Sequence, residues 1–116
     1  MNNFGSLLNY LRLNQGLTQC QLAQKLGVDF TYISHMEKDN TIPTDEIIEK
    51  AAEILNTDSD SLLLSAGKVP PSFKAVLLND SLAVAFIKAL PKFNAKQRAE
   101  IQNLIYRVKE KNIDEN

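Results

Sequence analysis

Gln19, Phe30, Thr31, Tyr32, Ser34, His35 and Lys38 fall within one short stretch of the chain and combine hydrogen-bond donors and acceptors, two aromatic rings and a lysine charge. Side chains of this kind can grip anionic oxygens and the polar edges of flat heterocycles. Bond-making chemistry finds little support beside them. His35 is the single histidine and Cys20 the single cysteine, and no glycine-rich phosphate loop occurs, so no nucleophile–base pair can be named. The chain is therefore read as a binding protein and not an enzyme, with no catalytic residue, no metal ligand and no cofactor expected. The acidic group Asp45, Glu46 and Glu49 reads as electrostatics of a helix start rather than a metal site.

The segment from Leu17 to Glu37 must position those side chains, and it reads as two short helices joined by a tight turn. Thr18 and Gln21 have the spacing of a capping box, which satisfies free backbone N–H groups at a helix start. Gly27 suits the left-handed conformation that ends a helix, and Asp29 is a good N-cap for the next one. Ala23 is small where two helices must approach closely, and Leu22, Leu26, Ile33 and Met36 fill the space beneath. The second helix then carries Phe30, Thr31, Ser34, His35 and Lys38 on its outer side. This is the pattern of a helix-turn-helix, which lays one helix in the major groove of double-stranded DNA.

Helical spacing recurs along the rest of the chain, and no segment alternates as a strand does. Phe4, Leu7, Leu8 and Leu11 predict a first helix ending near Gly16. Thr44 caps a fourth helix through Ile47, Ile48, Ala51, Ala52, Ile54 and Leu55, and Asp58 or Ser59 opens a fifth that stops at Gly67. Val69-Pro70-Pro71 breaks the chain, dividing a helix-turn-helix domain at 1–68 from a C-terminal helical region at 69–116. There a short piece runs from Ser72 to Leu78. Asp80 caps an apolar run ended by Pro91, and Asn94 with Gln97 caps a final helix to about Lys111. Leu82, Phe86, Ile87, Ile101, Leu104, Ile105 and Val108 exceed what a linker needs, on helices too few to enclose a core of their own. They either pack back onto the first bundle or pair with another chain, and a symmetric homodimer is expected, two-fold dimers being the commonest assembly.

Composition narrows the class. The 116 residues carry a net charge of −1, with 44% hydrophobic and 23% charged residues, as in an ordinary soluble protein. No apolar run approaches the length of about 20 residues that a membrane span needs, and the first residues lack the pattern of a signal peptide. One cysteine excludes an internal disulfide. A cytoplasmic location and no membrane partner follow as expectations. Residues 1–70 hold five basic against nine acidic side chains (−4), and residues 71–116 eight against five (+3). Phosphate attraction dominates non-specific DNA affinity, so the acidic half alone should bind weakly and depend on local geometry or dimerisation.

Leu17, Thr18, Gln19, Leu22, Ala23, Leu26, Gly27, Asp29, Tyr32, Ile33 and Glu37, with Pro43 beyond them, occur in the order and spacing of the XRE (Cro/cI-like) helix-turn-helix regulators. The chain resembles that family over roughly residues 4–67. The resemblance implies an all-α architecture: a five-helix lambda-repressor-like DNA-binding bundle, here followed by a C-terminal helical extension. It also implies that Phe30, Thr31 and His35 reach base edges and that Gln19 holds a phosphate and braces the recognition helix. Ser34 and Lys38 are candidate backbone or base contacts, and Tyr32 packs with its hydroxyl near a phosphate. Two departures stand out. Lys38-Asp39-Asn40 replaces the family's frequent Asn-Gly after the glutamate, a change that Asp and Asn can accommodate in the left-handed conformation. Phe30 opens the recognition helix where Gln, Arg or Ser is usual. It can touch a thymine methyl or fold back as a partly buried aromatic.

The expected function is a sequence-specific transcriptional regulator, a repressor binding a palindromic operator as a homodimer. The alternative is an antitoxin, or an interaction module with little DNA binding, that engages a protein partner through the C-terminal helices.

Overall fold

A computed structural model describes residues 3–115, and among them there are helices and turns but no strand. The chain divides into two compact units, Met1–Lys74 and Ala75–Asn116. Among the described residues no helix is long and apolar enough to cross a membrane.

The first unit is built from α1 (Phe4–Asn14), α2 (Gln19–Leu26), α3 (Phe30–Glu37), α4 (Asp45–Ile54) and α5 (Ser59–Ser65). Local signals start and stop each helix. Thr18 Oγ1 accepts the Gln21 backbone N–H at 3.1 Å, and Gln21 Oε1 accepts the Thr18 N–H at 2.8 Å, completing the capping box of α2. Gly27 follows at φ 72°, left-handed as expected. Thr44 Oγ1 caps α4 through Ile47 N–H at 3.3 Å, and the Asp58 carboxylate caps α5 through Ser61 N–H at 3.1 Å. Asp29 departs from its expected role. It stands at the N-cap of α3 in an extended conformation, yet its side chain makes no capping hydrogen bond. The Asp29 carbonyl takes the Tyr32 N–H at 3.0 Å instead.

Burial explains why these short helices hold together, since helices of seven to eleven residues are marginal alone and depend on packing. Leu8, Leu22, Ile33, Met36, Ile48, Leu55, Leu62 and Leu63 are fully buried in one cluster. Each such side chain stabilises the fold by about 1.5–3 kcal/mol. Ala23, 3% exposed, lies in the same cluster.

α1 approaches the end of α3 so closely that only glycine fits at position 5. A Cβ there would stand 2.5 Å from the Glu37 carbonyl oxygen. The Gly5 N–H donates to Asp39 Oδ1 at 2.9 Å, and Asp39 holds the left-handed conformation (φ 58°) that brings its carboxylate back onto α1. Gly5→Ala should therefore cost about 1–3 kcal/mol through forced backbone shifts, read as a lower urea midpoint. An unchanged midpoint would show that α1 can move away freely.

α6 (Pro71–Asn79) spans the division between the units, which falls within it after Lys74. In the second unit, Asp80 Oδ1 accepts the Leu82 N–H at 2.9 Å and caps α7 (Ser81–Ala89). Pro91 lies inside a 3₁₀ turn, Leu90–Lys92, that continues directly from α7. Asn94 and Gln97 form a capping box at 2.8 and 3.0 Å, starting α8 (Ala95–Glu115). Phe86 and Phe93 meet edge to face with centroids 6.0 Å apart. None of the described side chains from 71 to 110 is buried.

Candidate nucleic-acid interface

α3 turns Ile33 and Met36 into the core and presents Phe30, Thr31, His35 and Lys38 outward, with Tyr32 and Ser34 half-buried on its flanks. The alternation follows from helical geometry: positions three and four apart share a face. The apolar pair that anchors α3 thereby dictates which residues face solvent.

Two surface clefts flank this helix. One is lined by Ser6, Asn9, Gln19, Ser34, Glu37 and Lys38 and brings together side chains from α1, α2 and α3. The other is lined by Asp29, Thr31, Tyr32, His35 and Thr41. The sequence-derived candidates are thus divided between them: Gln19, Ser34 and Lys38 meet on one side, and Thr31, Tyr32 and His35 on the other. Phe30 lines neither cleft. It stands at the start of α3, 45% exposed, and does not fold back into the core. Tyr32 packs against the core from its edge.

The α3 helix is fixed by a charge network that spacing alone does not reveal. Arg12 Nε donates to Glu37 Oε2 at 2.6 Å, and Arg12 Nη2 donates to Glu37 Oε1 at 3.1 Å, a bidentate pair. Arg12 Nη1 also donates to the Leu17 carbonyl at 2.8 Å, tying the α1–α2 turn to the same guanidinium. Asn9 Nδ2 at 2.8 Å and Gln19 Nε2 at 3.0 Å converge on Glu37 Oε1. Burial alone would raise the Glu37 carboxyl. Hydrogen bonds from Arg12, Asn9 and Gln19, with the Arg12 charge, outweigh it and hold the group below its ordinary value. Gln19 therefore ties the start of α2 to the last residue of α3. From the opposite end, Lys50 Nζ donates to the Leu26 carbonyl at 3.2 Å and closes the C-terminus of α2 just before the turn.

Arg12, Asn9 and Glu37 were not legible as a cluster from spacing, although one signal existed. Arg12 continues the stripe Phe4 and Leu8 at four-residue intervals, so a cation occupies an apolar face. The remaining candidates lie in the second unit. Phe86, Ile101 and Ile105 line a groove between α7 and α8. Leu82, Ile87, Leu104 and Val108 are exposed. Among the described residues no group of three His, Cys, Asp or Glu side chains is placed to hold a metal ion, and Cys20 is a free, exposed thiol.

Comparison with known proteins agrees with this geometry. The family described as "Helix-turn-helix" matches residues 8–62. The chain is 32% identical over 59 residues to an uncharacterized HTH-type transcriptional regulator, YazB, of Bacillus subtilis (strain 168), covering 51% of this chain and 86% of that protein. A chain from the structure of a SinR protein/SinI protein complex superposes with a TM-score of 0.52 over 92% of this chain and 98% of its own length. At 21% identity that likeness speaks for the fold. Together with the capped α2, the Gly27 turn and the outward face of α3, the matches place the chain in the XRE-type helix-turn-helix family of DNA-binding transcriptional regulators.

Proposed function

We propose that the chain is a sequence-specific repressor, binding as a homodimer with its two α3 helices in successive major grooves of a palindromic operator. The observation that carries this reading is the outward polar face of α3, flanked on both sides by clefts. Phe30, Thr31 and His35 are assigned to base edges, Phe30 through a thymine methyl. Gln19 at the start of α2 is assigned to a phosphate, which a helix N-terminus favours. Tyr32 places its hydroxyl toward the phosphate backbone, and Ser34 and Lys38 contact backbone or bases. Residues 1–68 supply the reading head and residues 69–116 the pairing region, through Leu82, Phe86, Ile87, Ile101, Leu104, Ile105 and Val108. Pairing is supported by the absence of buried side chains among residues 71–110, since so small a unit needs further apolar cover. Two heads about 34 Å apart would share one site and offset the −4 balance of residues 1–70. Occupancy of the operator in the cytoplasm would exclude or reposition polymerase.

A gel-shift titration on random-sequence DNA at low salt tests the reading. The parent chain should retard DNA, and the Gln19→Ala/His35→Ala variant should need at least about tenfold more protein, the loss of two polar contacts. No retardation of the parent at any concentration would remove the regulator reading. It would favour an antitoxin or interaction module that uses the same scaffold to hold a protein partner. The acidic balance of the head motivates that second reading, and the solved structure sharing the fold is itself a complex of two proteins.

A further inference from the structure

Glu37 Oε1 accepts three donors: Asn9 Nδ2 at 2.8 Å, Gln19 Nε2 at 3.0 Å and Arg12 Nη2 at 3.1 Å. A carboxylate oxygen offers about two lone-pair directions, so one of the three is surplus. Arg12 is not free to leave, because it is buried and also holds Glu37 Oε2 and the Leu17 carbonyl. Asn9 sits in the middle of α1, a helix anchored by the buried Phe4 and Leu8, and makes the shortest bond to this oxygen. Gln19 is the first residue of α2 and has the longer side chain; with Asn9, Ser34 and Lys38 it lines one cleft.

We propose that Asn9 is a positioning residue for DNA binding: it keeps Glu37 Oε1 satisfied so that the Gln19 amide can leave Glu37 for a phosphate without loosening α3. The inference rests on the assignment of Gln19 to a phosphate made above. With Asn9 present, rotation of Gln19 leaves Glu37 fully paired through Arg12 and Asn9. Without Asn9, Gln19 is the remaining neutral donor to a carboxylate whose side chain is only 6% exposed, and its departure is opposed. Asn9 thus acts on affinity through Gln19.

The test is a double-mutant cycle in the full-length chain, using Asn9→Ala, Gln19→Ala and both together. Affinity is measured on one duplex recovered by in vitro selection, and thermal unfolding is measured alongside. Gln19→Ala should weaken binding about fivefold, one hydrogen bond's worth. Asn9→Ala should weaken it nearly as much, and the double variant should bind about as well as either single one. That non-additivity identifies coupling between the two side chains, whereas a merely structural Asn9 would weaken both backgrounds equally. The Gln19 side-chain NH₂ resonances should shift on DNA addition in the parent chain and stay near their free positions in Asn9→Ala. Additive losses, or parent-like affinity of Asn9→Ala beside a weakened Gln19→Ala, would overturn the role of Asn9 and leave the phosphate assignment standing. Parent-like affinity of Gln19→Ala would overturn that assignment and the proposal with it.

Discussion

Replacing Arg12 by alanine is expected to destabilise the first unit by about 3–5 kcal/mol, the cost of breaking one partner out of a buried ion pair. Only 9% of the Arg12 side chain and 6% of the Glu37 side chain are exposed, so the orphaned carboxylate cannot recover its hydration where it lies. The Leu17 carbonyl loses its donor as well. Domain stabilities are about 5–15 kcal/mol, so this one change removes a large share, and urea unfolding should register it as a much lower midpoint. The pH dependence separates charge from packing. The folded Glu37 carboxyl lies below its ordinary value of 4.5. Its contribution is therefore present above that value and is lost as pH falls through the folded one. The gap between parent and Arg12→Ala should be widest near neutrality and narrow in acid below about pH 4.5. Removing both charges by Arg12→Met with Glu37→Leu should restore much of the lost stability, because well-packed apolar pairs can replace buried ions. A gap that does not change with pH would assign the loss to packing of the arginine stem.

The contrast between that network and the helices around it marks what the chain displays openly. Thr18 and Gln21 are three residues apart, as are Asn94 and Gln97, and each pair needs only its own helix start to form its bonds. Core positions such as Leu22, Leu26, Ile33 and Met36 follow from periodicity within single helices. Arg12 and Glu37 are 25 residues apart, and Gly5 and Asp39 are 34 apart. Their pairing exists only once α1 crosses the end of α3, and no local pattern encodes a crossing. Asp29 illustrates the reverse error. Its residue type suits a cap, but side-chain capping also requires a rotamer, and the backbone carbonyl does the work instead. On the outer face of α3, periodicity identifies which residues face solvent. It does not reveal that Gln19, Ser34 and Lys38 share one cleft while Thr31, Tyr32 and His35 share another, because that division depends on where α1 and the α3–α4 loop stand.

A chain ending at Lys74 is expected to fold, to be monomeric and to bind the operator about 10²–10⁴-fold more weakly than the whole protein, the range by which linking two sites raises avidity. Folding should survive because, among the described residues, the fully buried side chains all lie at or before Pro70. Lys68 also remains to hold Asp45 at 2.8 Å, which a cut directly after Gly67 would forfeit. Affinity should fall because a single acidic head faces the phosphate backbone without a tethered twin. Leu104→Glu in the full chain separates the causes. It places a charge on the exposed apolar face of α8 without shortening anything, and Leu104 is 55% exposed in the single chain, so the protomer itself has little reason to unfold. If α8 pairs with a second copy, light scattering should shift from dimer to monomer mass, with affinity dropping toward that of the truncated chain. The coupling should also show in concentration dependence: the parent binds a two-half-site duplex cooperatively, and Leu104→Glu binds each half-site independently. A parent chain of monomeric mass at high micromolar concentration, binding no better than the piece ending at Lys74, would refute pairing and leave α3 to read its site alone.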